Sequence, residues 1–280
     1  MRQGIIRVLP DQVINQISAG EVVDRPSSVV RELLDNSVDA GATEISVYLE
    51  EGGRSLVRVV DNGSGMERDD ALLAFERHAT SKIQSIEDLD RLNSLGFRGE
   101  ALPSIASVSK VRLSTRTARA ELGAEINIEG GKIKNVREVN VPSGTTVEVR
   151  TLFFNTPARR KFLKQPKTEE LRIRSWILHS SLAHPDIRYR VFCDGTECMN
   201  LPRARSVLER AKRIFLGRLA SGLREIPTCS ISSKEVCVWR RHCVRACAGN
   251  PAQCLILENR SSSHAAANAP FFNKQAEASP

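Results

Sequence analysis

Apolar and polar positions along this chain follow two periods. In PSSVVRELLDNSVDAG, Val30, Leu33, Leu34 and Val38 recur three and four residues apart, the spacing of one helix face. Pro26 suits a first helical turn and Gly41 a C-terminal stop, so the spacing predicts a helix restarting near Pro26. Helical spacing also reaches back to residue 11, with a break around Gly20. In TEISVYLEEGGRSLVRVVDNGSG the period drops to two. Ile45, Val47 and Leu49 alternate with polar residues, Gly52-Gly53 turns the chain, and Leu56 to Val60 resumes a strand, a hairpin pattern. Further helices are predicted over 67–78, 86–93, from Ala101 with Pro103 in the first turn, over 168–184, and over a basic stretch at 203–221. Strands are predicted at 110–116, 123–129, 132–140, 145–150 and 187–193, with Pro142-Ser143-Gly144 as a turn. Helix, hairpin, helices, several strands, helix, strand is the order of an α+β sandwich: a mixed, mostly antiparallel sheet with helices on one face.

Composition narrows the picture. A chain of 280 residues with 41% hydrophobic content can bury a large core. It contains no run of about 18 apolar residues, so no membrane-spanning helix is expected. The start, MRQGIIRVLPDQ, lacks the continuous apolar stretch of an export signal, which points to a cytoplasmic or nuclear compartment. The net charge of +8 is unevenly spread: residues 1–149 carry −5, residues 150–224 carry +11 and residues 225–280 carry +2. The middle block either faces a polyanion such as nucleic acid or is a solvated helical surface. All seven cysteines fall at or after Cys193. Their odd number in an unexported chain argues against a disulfide framework. Cys229, Cys237, Cys243, Cys247 and Cys254 surround His242 without any C-x-x-C pair, which makes a zinc cluster a weak reading.

Four polar groupings carry candidate chemistry. Glu32, Asn36 and Asp39 share the polar side of the Pro26 helix, with Glu32 and Asn36 one turn apart. Asp61 ends a strand and runs into Asn62-Gly63-Ser64-Gly65, whose glycines permit close approach. Thr80, Ser81 and Lys82 form a polar cluster, and Gly96-Phe97-Arg98-Gly99-Glu100-Ala101-Leu102 places a cation between two glycines ahead of a helix, a pattern suited to phosphate. These groups match a nucleotide-hydrolysing site. Asn36 offers a hard oxygen to Mg²⁺, Glu32 can deprotonate a water, Asp61 can accept from the exocyclic amine of adenine, and Lys82 and Arg98 can neutralise phosphate. The strings G-x-x-x-x-G-K-[ST], H-E-x-x-H and G-x-S-x-G are missing, and no G-x-G-x-x-G follows a strand.

The strings QISAGEVVDRPSSVVRELLDNSVDAGA, VVDNGSGM, ERHATSKI, LGFRGEAL and LFFNTPARRKFL, in this order over roughly residues 1–224, resemble the MutL family of DNA mismatch repair proteins, within the GHKL superfamily of ATPases. The resemblance implies a GHKL ATP-binding sandwich with ATP and Mg²⁺ as cofactors and the Thr80 to Leu102 stretch as a mobile lid. Glu32 then resembles the general base, Asn36 the magnesium ligand and Asp61 the adenine-reading acid. Gly63 and Gly65 resemble the glycines beneath the base. Thr80, Ser81, Lys82 and the Gly96 to Leu102 loop resemble lid contacts to phosphate, and Thr145 the threonine of the last superfamily motif. Arg159, Arg160 and Lys161 either touch DNA or brace the fold beside the lid. The implied partners are DNA, a MutS-type mismatch recognition protein, a downstream nuclease or helicase, and a second copy of the chain upon ATP binding. The implied location is the nucleoid-associated cytoplasm in a bacterium, or the nucleus in a eukaryote.

After about Arg224 the text changes. PTCSISSKEVCVWRRHCVRACAGNPAQCLILENRSSSHAAANAPFFNKQAEASP has no sustained periodicity and an Ala/Asn/Ser-rich end, so residues 225–280 are expected to be poorly ordered and outside the family's reading frame. The family's second domain supplies a lysine to the γ-phosphate, so nucleotide binding is expected to survive better than turnover. A catalytically weak or inactive ATP-binding remnant is the alternative reading, and a different GHKL enzyme such as a topoisomerase subunit or kinase is a further one.

Overall fold

The computed structural model describes residues 19–20, 22–76, 79 and 99–215, together with the backbone of 223–225, 243–244 and 255–257. Its core is an eight-stranded sheet in the order β5-β4-β3-β6-β2-β1-β7-β8. The strands are β1 (Glu44–Glu50), β2 (Leu56–Asp61), β3 (Lys110–Arg116), β4 (Gly123–Glu129), β5 (Lys132–Val139), β6 (Gly144–Arg150), β7 (Arg188–Cys193) and β8 (Thr196–Leu201). Among the described residues, the β1–β7 pairing alone is parallel. The helices are α1 (Pro26–Asp39), α2 (Arg68–Leu73), α3 (Ala101–Ser107), α4 (Pro157–Phe162), α5 (Pro166–Ala183) and α6 (Val207–Ile214).

Strand alternation makes one face of the sheet apolar. Ile45, Val47, Leu49, Val57, Val59, Val111, Leu113, Ile126, Ile128, Val147, Val149 and Val191 share one buried cluster with Val29, Val30, Leu33 and Leu34 of α1 and Ile173 and Ile177 of α5. The opposite face is polar and carries ion pairs such as Arg112–Glu148 and Arg190–Glu197. This is the mixed, mostly antiparallel sandwich that the pattern predicts. Pro26 opens α1, and Gly41, at φ +71°, closes it with its N–H on the Val38 carbonyl at 2.9 Å.

Several expectations need correction. The helix predicted over 67–78 spans only Arg68–Leu73, and the basic helix over 203–221 is described as Val207–Ile214. Strand β8 was not predicted, because TECMNL lacks alternation and lies at a sheet edge where one side needs no partner. Cys193 and Cys198 form a disulfide across the β7–β8 hairpin, with Cα atoms 6.0 Å apart, contrary to the cysteine arithmetic. The β7–β8 register shifts between Val191 and Phe192, beside this bridge, and leaves Cys198 without a partner in the ladder. Within 225–280, Cys243–Val244 (β10) and Leu255–Leu257 (β11) pair antiparallel, and β11 pairs with Leu223–Glu225 (β9). The remaining expectations there, and the helical readings over 11–18 and 86–93, lie outside the described residues.

Candidate functional site

At one end of the apolar face, four elements carry a polar residue in the phase that should be hydrophobic. Strand β2 turns Val57 and Val59 inward, then Asp61; β3 turns Val111 and Leu113 inward, then Thr115. Strand β6 carries Thr145 ahead of Val147 and Val149, and α1 follows Val30 and Leu33 with Ser37. Asp61 pairs with Thr145, which pairs with Thr115, so these three strands form one polar row.

Hydrogen bonds knit that row to α1. Asp61 Oδ1 accepts from the Gly63 N–H at 2.9 Å and the Thr145 N–H at 3.2 Å, and Oδ2 accepts from Ser37 Oγ at 3.0 Å. Among the described residues, no other donor reaches Oδ2, so one of its lone pairs is left for a ligand. Thr115 donates to the Gly144 carbonyl at 3.1 Å and accepts from the Met66 N–H at 2.9 Å, which leaves the Thr145 hydroxyl as the donor in their 3.1 Å contact. Burial pushes the Asp61 carboxyl above the ordinary range, more than the bonds from Gly63, Ser37 and Thr145 pull it down. Neutral donors therefore position the carboxyl without balancing its charge.

The turn after Asp61 depends on its glycines. A Cβ on Gly63 would lie 2.8 Å from the Ala40 carbonyl, to which the Ser64 N–H donates at 2.9 Å. Gly65, at φ +67°, would place a Cβ 2.1 Å from the Arg116 carbonyl. Asn62 fastens the turn from outside, accepting from the N–H groups of Thr43 and Glu44 at 2.8 and 2.9 Å. The loop is thus wedged between the end of α1 and the end of β3.

Glu32, Asn36 and Asp39 are half-buried on α1, and Asn36 immediately precedes the serine that touches Asp61. Glu32 takes an ion pair from Arg31 at 2.8 Å. Gly99, at φ +61°, closes against Ala79, where a Cβ would meet the carbonyl at 2.4 Å, so the residues flanking 80–98 touch. Glu100, Ala101 and Leu102 follow, half-buried, at the start of α3, and the Ser104 N–H donates to the Glu100 carbonyl at 3.0 Å. Thr80, Ser81, Lys82, Gly96, Phe97 and Arg98 lie outside the described residues. Arg159 folds inward onto Gly20, where a Cβ would lie 2.0 Å from its guanidinium, while Arg160 and Lys161 are exposed. A cavity of about 610 Å³ beside α6, lined by Asp186, Arg203, Arg205, Glu209 and Arg213, shares no residue with this cluster.

A profile of the histidine kinase-, DNA gyrase B- and HSP90-like ATPases matches residues 24–155, the span that holds the Asp61 row, α1 and α3. The solved Aquifex aeolicus MutL ATPase domain complexed with ADP is 37% identical, with a TM-score of 0.56 over 69% of this chain and 70% of that one. This chain belongs to the MutL family. The MutL proteins of Solibacter usitatus and Acidobacterium capsulatum are 54% and 51% identical over 80% and 85% of this chain, but only 34% and 36% of their own lengths. The chain thus spans about a third of the curated MutL relatives it matches. A further solved structure, the N-terminal domain of a DNA repair protein, is 27% identical with a TM-score of 0.64, covering 76% of this chain and 63% of that one. Sequence reasoning missed Ser37 and Thr115 in this MutL chain, and it named Asn62 in the turn without giving it a role. The signal for the first two was present: each is a polar residue in the apolar phase of its element.

Proposed function

We propose that this chain is the nucleotide-binding part of a DNA mismatch repair ATPase, which binds ATP with Mg²⁺ and hydrolyses it slowly to drive lid closure and dimerisation. On this reading residues 1–224 form the nucleotide unit and 225–280 stand apart from it. The observation that carries the proposal is the Asp61 carboxyl, held by neutral donors with one lone pair to spare at the foot of the helix bearing Glu32 and Asn36. That lone pair suits the exocyclic N–H of adenine, which guanine does not offer in the same place. The glycines beside it let the flat base approach the backbone.

Asn36 is half-buried one turn from Glu32, and its amide oxygen is a hard donor of the kind that Mg²⁺ accepts alongside phosphate oxygens and waters. When bound, the ion would neutralise charge on the phosphates. Glu32 acts as general base, taking a proton from the water that attacks the γ-phosphate, and Asn36 keeps the phosphates in register with it. Gly99 to Leu102 at the start of α3, with Gly96 to Arg98, Thr80, Ser81 and Lys82, approach the phosphates as the lid closes. Closure couples the site to a second copy, and through it to a MutS-type recognition protein and a strand-cutting or unwinding partner. DNA is engaged through the exposed Arg160 and Lys161. The family membership and the ADP complex of the Aquifex domain support this reading.

Titration of the purified chain with a non-hydrolysable ATP analogue, with and without Mg²⁺, tests it. Glu32→Ala keeps analogue affinity and removes hydrolysis, whereas Asn36→Ala loses the Mg²⁺-dependent part of the affinity. Hydrolysis by Glu32→Ala at the rate of the unaltered chain would show that the base lies elsewhere.

A further inference from the structure

Adjacent residues of a helix point about 100° apart and do not ordinarily meet. Arg31 and Glu32 of α1 meet nonetheless: the guanidinium donates from NH2 at 2.8 Å and from Nε at 3.3 Å, both to Glu32 Oε1. Trp176 of α5 lies beside the arginine, its ring centroid 5.6 Å from the guanidinium carbon, and His179 meets the indole edge-on at 6.2 Å. A planar guanidinium can stack on an indole and still present a fork of N–H groups, which a lysine cannot do. Both of those N–H groups engage Oε1, and neither engages Oε2.

We propose that Arg31, held on Trp176, is a positioning residue for Glu32: it fixes the carboxylate through Oε1 and turns Oε2 towards the attacking water. The proposal rests on the reading of Glu32 as general base. In this role Arg31 acts through Glu32 rather than on the substrate. Its side chain is 40% exposed, so solvent screens much of its charge, and orientation is the larger part of its effect. During the reaction the water's O–H bond breaks, its proton passes to Oε2, and the oxygen bonds to the γ-phosphorus as the ADP oxygen leaves.

Hydrolysis and analogue binding in Arg31→Met, Arg31→Lys and Trp176→Leu test this. Arg31→Met lowers kcat by about ten- to a hundredfold, the penalty for a misaligned base, with analogue Kd unchanged. Arg31→Lys recovers only part of the loss, and Trp176→Leu lowers kcat in the same sense. Adding Arg31→Met to Glu32→Gln changes nothing further. An Arg31→Met enzyme with parental kcat, or one that slows Glu32→Gln by the same factor, overturns the proposal. Failure of the underlying reading looks different, because Glu32→Gln alone would then hydrolyse at the parental rate. Where parental turnover is too slow to measure, a crystal structure with Mg²⁺ and the analogue decides. Arg31 on Oε1 with a water on Oε2 supports the inference, and a guanidinium swung away from Glu32 defeats it.

Discussion

Asp61 and Glu148 lie on the neighbouring strands β2 and β6, yet on opposite faces of the sheet, and both carboxyls are withdrawn from solvent. Their partners differ in kind. Glu148 accepts from the Arg150 guanidinium at 2.6 Å and the Arg112 guanidinium at 2.9 Å. Burial alone would raise its pKa, but those two cations hold it below the usual carboxylate range. Among the described residues, Asp61 has two backbone N–H groups and a hydroxyl as partners, and burial prevails. A carboxylate balanced by two guanidinium groups is a structural fixture. One that is oriented but not neutralised gains most from an incoming N–H donor.

Swapping the character of each carboxyl breaks that comparison, and the largest effect is expected at Asp61. Asp61→Asn sets an amide N–H among donors and lowers nucleotide affinity by about ten- to a hundredfold, the equivalent of about 1.5–3 kcal/mol for a charge-assisted bond. Calorimetric titration measures it, and an unchanged Kd would remove Asp61 from the site. The same carboxyl sets a pH dependence. Its folded-state pKa is raised, so acid protonates Asp61 while Glu148 remains ionised, and affinity in the unaltered chain falls before Glu148 is lost. Glu148 contributes stability that is complete above its unfolded value and is lost as pH falls through its depressed folded value.

Glu148→Ala comes next. It leaves two guanidinium groups that are half-exposed and able to rehydrate, so the expected loss is about 1–3 kcal/mol of stability rather than the full cost of an orphaned buried charge. Denaturant unfolding reads it, and nucleotide affinity should stay within twofold of the unaltered chain, roughly. A large affinity loss here would mean that the two faces are coupled. Ser37→Ala is the smallest change. Removing the hydroxyl on Asp61 Oδ2 costs about 1 kcal/mol of nucleotide affinity, near fivefold, with little effect on the fold. An increase in affinity would instead show that Ser37 competes with the ligand for that lone pair.

Much of the architecture was legible because local periodicity carries it. The apolar stripe of α1, the alternation of β1 to β4 and the turns at Gly41 and Pro142-Ser143-Gly144 placed those elements within a residue or two. Strand β8 was hidden because an edge strand need not alternate, and α6 starts at Val207 rather than at 203 because Ser206 caps it there; the reading over 216–221 lies outside the described residues. In the site, Asp61 was legible from its glycines and Thr145 from family resemblance. Ser37 and Thr115 were overlooked, because each looks like an ordinary surface residue until its phase is counted against the apolar neighbours.

The chain's own text determined which elements form, which face of each is apolar, and where a polar residue interrupts that face. It could not say that the interruptions in α1, β2, β3 and β6 meet. Thr145 and Asp61 are 84 residues apart, and their pairing follows from the strand order β3-β6-β2, a choice made by packing between distant segments. The same holds for Arg31 and Trp176, brought together by α5 lying on α1. A local pattern fixes torsions within a few residues, whereas a site is built from contacts whose loop-closure cost is met only when the whole sheet assembles.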